Sequence, residues 1–182
     1  EFLIKRAWPF IRDVATFLEA VTETGPDLKR NLPLSSSPEI NDNRLEAWFP
    51  DITNYDLSLI RWTFTKAAEL ARETGNSDEE DHWKTVLREM PDYWKDPVTG
   101  GLLVSRDYPL PGSHRHFSHL MAIHPLGLVA WENGPVDQEV IRASLAELEA
   151  KGSDWWTGYS FAWLGSLAAR ARYGEAAEKG PE

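Results

Sequence analysis

The chain has 182 residues, 42% of them hydrophobic, a formal net charge of −10 and no cysteine. That length suits one domain, 1–182, able to bury roughly 70% of its unfolded surface. The acidic balance, with no basic run, argues against a nucleic-acid role. No apolar run approaches the roughly 20 residues that span a bilayer, and without cysteine there are no disulfides or thiolate sites.

Phe2 to Glu23 reads as a helix, with Ile4, Ala7, Trp8, Ile11, Val14, Ala15, Leu18 and Val21 in 3.6-residue phase. Leu3, Phe10 and Phe17 widen the stripe, which predicts contact on two sides. Pro9 should kink or restart it, and Gly25-Pro26-Asp27 ends it. Residues 27–50 read as a long irregular connection. Such a loop inside a compact domain is usually functional or disordered, and Leu32, Leu34, Ile40, Trp48 and Phe49 argue for order.

A second helix, capped by Thr53 or Asn54, runs to Thr74 with Gly75 as its stop. A third starts near Ser77 or Asp78 and ends before Pro91. Asp96 to Gly101 is a turn, and Leu102-Leu103-Val104 predicts a small hairpin arm. The next element is a helix from about His116. Val136 to Lys151 is amphipathic and ends at Gly152; a last helix runs through Tyr173. The ends suggest a piece of a larger domain: Glu1 already lies in helical phase, and Ala176 to Glu182 begins a helix-like segment and stops. A leader peptide would then be invisible, which leaves the compartment open, secreted or periplasmic included.

About six helices with short turns on some sides and long polar-aromatic loops on others suit an all-α toroid of paired inner and outer helices. The loops at 35–44, 54–56, 114–119 and 154–159 would gather at one rim around a hollow.

Four of the five histidines, His114, His116, His119 and His124, lie between Pro111 and Pro125. Three readings compete for them. They serve as structural hydrogen-bonders, as zinc ligands in His114-x-His116-x-x-His119, or, with Arg115, as a wall that grips a hydroxyl-rich ligand. The zinc pattern lacks the usual Asp before its last His, since Ser118 stands there.

Glu39 follows Ser37 and Pro38, the sequence of a helix opening, which predicts a carboxylate stabilised by the helix dipole. The functional alternative is a general acid, which needs the opposite shift in pKa. Asp56 is either a first-turn helix acid or a hydroxyl binder. Asp154 precedes Trp155-Trp156, which are either core rings or a sugar platform.

Leu34-Ser35-Ser36-Ser37-Pro38-Glu39, then Asn54-Tyr55-Asp56-Leu57-Ser58-Leu59-Ile60, then His114-Arg115-His116-Phe117-Ser118-His119-Leu120, then Thr157-Gly158-Tyr159-Ser160-Phe161-Ala162-Trp163, occur in that order. Together they resemble glycoside hydrolase family 95, the 1,2-α-L-fucosidase type. The resemblance implies part of an (α/α)6 barrel and inverting hydrolysis of a glycosidic bond in a glycan, without a cofactor. It implies Glu39 as general acid, with His114, Arg115, His116 and His119 lining the sugar pocket. Asn41, Asp56, Trp155 and Trp156 join them as binding candidates. Ile40 stands where the family commonly has Asn, which leaves fucose, galactose or another sugar open. The family's base side matches nothing in this sequence, so the remainder of the catalytic domain is the expected partner. A non-catalytic sugar-binding toroid and a histidine-based metalloenzyme are the alternatives.

Overall fold

The computed structural model describes residues 1–174. Among them are five α-helices: α1 Trp8–Val21, α2 Asn54–Glu73, α3 Ser77–Glu89, α4 Pro135–Lys151 and α5 Gly158–Arg170. One two-stranded antiparallel sheet joins β1 Glu23–Thr24 to β2 Arg30–Asn31. No helix among the described residues is long and apolar enough to cross a membrane. The helix-like segment expected at Ala176 to Glu182 lies outside them.

The helix boundaries follow local chemistry. Thr53 caps α2, its side chain accepting the Asp56 N–H, and Gly75 takes φ 79° just past the helix end. Pro9 has no N–H to return to the Lys5 carbonyl, and the turn before it, Leu3–Ala7, is π-helical. Thr157 and Ser160 form a reciprocal capping box at the start of α5.

Trp8 and Ala15 of α1 are buried with Leu57, Ile60 and Phe64 of α2 in one core cluster, which Trp83 and Val86 of α3 complete. Phe64 and Trp83 stack with ring centres 5.8 Å apart. The wide stripe of α1 is covered on one side only: Phe10 and Phe17 remain 67% and 62% exposed.

A second cluster gathers Val140, Ile141 and Leu148 of α4, Trp163 and Leu167 of α5, and the connecting segment through Leu102, Phe117 and Ile123. The expected hairpin arm is not a free arm. Lys95 and Leu102 form a single bridge across the turn, and Leu102, Leu103 and Val104 are buried. A Cβ on Gly101 would stand 3.3 Å from the Ala143 backbone, and the Leu102 N–H donates to Ser144 Oγ at 3.0 Å. This close approach draws the three apolar residues onto α4.

The helix expected from His116 is also absent. Ser118–Leu120 form one 3-10 turn and irregular turns follow. Here tertiary hydrogen bonds from Arg115 and Ser118 replace the helical ladder, as the site makes plain.

Candidate active site

Glu39 does not open a helix. Glu39, Asn41 and Asp42 have φ of 59°, 62° and 52°, a left-handed conformation that an α-helix of L-residues does not continue through. Ile40, between them, is buried in the second core cluster and anchors the turn. The helix-dipole account of Glu39 therefore gives way to another one. Its carboxylate pairs with the Arg115 guanidinium and, 3.0 Å away, with His116 Nε2. The Arg115 hydrogen bond leads the causes that hold the half-exposed carboxyl below its ordinary range, and His116 adds to it.

Three serines bring these groups together. Ser37 and Ser118 share a buried hydroxyl–hydroxyl hydrogen bond of 2.8 Å, joining the Glu39 turn to the histidine segment. Ser160 Oγ donates to the Arg115 carbonyl at 2.8 Å, so the first turn of α5 fixes Arg115 from behind. Ser35 Oγ donates to Asp56 Oδ2 at 2.7 Å and accepts the Thr53 N–H at 2.9 Å, which ties the Glu39 loop to the start of α2. The loops at 35–44, 54–56, 114–119 and 154–159 thus meet.

The candidates divide by environment. Glu39, Asp42, Ser113, His114, Arg115 and Trp155 line a polar hollow of about 260 Å³. His114 Nδ1 lies 3.1 Å from the His116 N–H and accepts from it. Trp155 is 71% exposed, and its N–H donates to Ser113 Oγ at 3.1 Å. Trp156 faces the other way, packed edge-on to Phe117 and Phe161. Asn41 is engaged within its own loop: its amide donates to the Glu46 carbonyl and its oxygen accepts the Tyr108 hydroxyl. Asp56 is largely enclosed, and burial pushes its carboxyl up against the pull of Ser35 and the Ser36 backbone.

His119 is 1% exposed, and neither ring nitrogen has a hydrogen-bond partner. Burial lowers its pKa to about 3, with His114 adding to the shift. The zinc reading asks three imidazoles to converge. Instead one is turned to backbone, one to Glu39, and one is enclosed. Among the described residues no group of three or more His, Asp or Glu is placed to hold a metal ion. The larger groove of the molecule, about 470 Å³ beside α4 and α5, is lined by Leu145, Leu148, Trp156, Phe161 and Leu164 and by none of the histidines. The Glu39 hollow carries the chemistry despite its smaller size.

Sequence reasoning gave no role to Tyr159, whose ring lies 5.8 Å from that of His116, nor to the serine bolts. Only the capping-box spacing of Thr157 and Ser160 was a local signal.

Fold and site together define a mainly helical domain whose loops build an acid-bearing polar hollow. The family model for the glycosyl hydrolase family 95 catalytic domain matches residues 1–180, and the chain belongs to that family. It is a glycosidase domain, and its substrate is a glycan. No curated protein matches the chain.

Proposed function

We propose that this chain carries the acid half of an inverting glycoside hydrolase, with Glu39 as the general acid. The donor sugar is an α-L-fucoside or a similar α-L-galactoside. The resemblance of the 34–39, 54–60 and 114–120 stretches to the 1,2-α-L-fucosidase type supports that choice. The carrying observation is the Glu39 carboxylate between the Arg115 guanidinium and the His116 imidazole, at the edge of a polar hollow.

In the reaction Glu39 gives its proton to the bridging oxygen as the C1–O bond breaks. Water attacks C1 from the opposite face, and a base on that face takes the water's proton. An acid must first hold a proton, and Arg115 and His116 oppose this in the empty site. Sugar hydroxyls that accept from Arg115 and His116 would release Glu39, and the ring would exclude water from it. Both changes raise a carboxyl pKa towards the working range.

The base comes from the remainder of the same catalytic domain, which completes the (α/α)6 toroid. The exposed apolar face of α1 supports such a neighbour. Glu39→Gln in the intact enzyme is expected to abolish turnover while sugar binding survives; undiminished turnover removes the acid assignment. The lowered Glu39 pKa favours a second reading, in which the carboxylate only accepts sugar hydroxyls in a non-catalytic toroid. That reading predicts binding without turnover in the unaltered protein.

A further inference from the structure

The acid of a glycosidase stands at the bond it breaks, between the ring that leaves and the ring that stays. Its two sides therefore have different duties. From Glu39, one side runs through His116 to Tyr159, whose ring lies 5.8 Å from the imidazole, and on to Trp163, 5.4 Å further. The other side is the hollow under Trp155.

We infer that this hollow is the leaving-group subsite, and that it takes one pyranose ring stacked on Trp155. The inference rests on the reading of Glu39 as the acid.

Trp155 is a large aromatic left 71% exposed, while its chain neighbour Trp156 is packed among Phe117 and Phe161. Adjacent residues in extended backbone face opposite ways, so burying Trp156 presents Trp155 outward. The root of Trp155 is not loose, because its N–H donates to Ser113 Oγ on the wall of the same hollow. A flat ring held at its base gives the apolar face of a pyranose a surface at little cost in side-chain ordering.

The rim supplies polar groups for the ring's edge. Asp42 offers a carboxylate acceptor. The Nδ1 of His114 is taken by the His116 backbone, so Nε2 is the atom its imidazole offers. Ser113 Oγ already accepts from Trp155, which leaves its hydroxyl hydrogen free to donate. The space, about 260 Å³, falls below the roughly 300–1,000 Å³ of pockets for drug-sized ligands. It fits one ring. The substrate class is thus a sugar-to-sugar glycoside, with selectivity for the reducing-side ring.

The test compares two substrates of the intact enzyme: an α-L-fucosyl-(1→2)-galactose disaccharide and α-L-fucosyl fluoride. The fluoride leaves as a single atom and fills no subsite. Trp155→Ala should lower the ratio of kcat/KM for the disaccharide to that for the fluoride by more than tenfold, mainly through KM. Trp155→Phe, which keeps a flat ring, should restore most of it. A ratio within twofold of the unaltered enzyme overturns the subsite. Glu39→Gln separates the two ideas. If that variant keeps its disaccharide turnover, the acid reading fails and the inference falls with it. If it loses turnover while the Trp155→Ala ratio stays put, the subsite alone is wrong.

Discussion

Ser37 and Ser118 stand 81 residues apart in the chain and share a buried hydroxyl–hydroxyl hydrogen bond of 2.8 Å. No other side-chain hydrogen bond described here joins the Glu39 turn directly to the segment that carries Arg115 and His116. Removing either hydroxyl leaves the other buried and unpaired, which costs about 1–3 kcal/mol. Ser37→Ala and Ser118→Ala should each lower the urea midpoint, and the double variant should lose clearly less than their sum. Strict additivity in that cycle contradicts the bond. Because the bond aligns Glu39, kcat should fall in both single variants.

Arg115 heads the causes that hold the Glu39 carboxyl low. Arg115→Met removes that donor and its charge, so the Glu39 pKa rises. For an acid that must be protonated, the alkaline limb of the activity profile then moves to higher pH. Carbon-13 titration of the Glu39 side chain gives the same answer without turnover; an unmoved titration contradicts the pairing.

Asp56 behaves in the opposite sense. Burial raises its pKa above the ordinary 3.8, so between that value and the raised one the native state binds more protons than the unfolded chain. Stability therefore falls as pH climbs through that window, and near neutrality the enclosed charge opposes folding. Asp56→Asn keeps an oxygen for Ser35 and discards the charge. The melting temperature should rise at about pH 7, and the gain should vanish below about pH 4. A sugar that depends on the carboxylate will bind more weakly in the same variant, which calorimetry reads directly.

His119 stays neutral in the native state, its pKa held near 3, whereas the unfolded chain protonates it below about 6.5. The unfolded state binds more protons across that interval, so this residue makes stability fall as pH drops from about 6.5 towards 3. His119→Phe should flatten the dependence of the urea midpoint on pH over that range. An imidazole nitrogen-15 shift that titrates near 6 in the native protein would falsify the enclosed, neutral assignment.

The helices were legible because their signals are local. Thr53 before α2, Gly75 after it and the acidic first turn of α3 are each read within four residues. The site was legible as a set of segments but not as a geometry. Ser37-Pro38-Glu39 has the look of a helix start, and only the burial of Ile40 and the left-handed residues at 39, 41 and 42 turn it aside. Asn54 was read as a cap. It is instead a buried stitch, its amide donating to the Trp94 and Leu103 carbonyls at 2.8 Å and accepting the Trp94 N–H. Those partners lie 40 and 49 residues away, beyond the reach of any periodicity. The Trp155-Trp156 pair misled for the same reason: its division into an outward and an inward ring depends on where Phe117 sits.

Along α1, Phe10, Val14, Phe17 and Val21 follow one another by four, three and four residues, opposite the face that packs on α2. That is the rhythm of a knobs-into-holes seam. Any helix laid on it will cross at a shallow angle of about 20° rather than the steeper 50° common in globular folds. The inclination of the next helix is thus already written on this one.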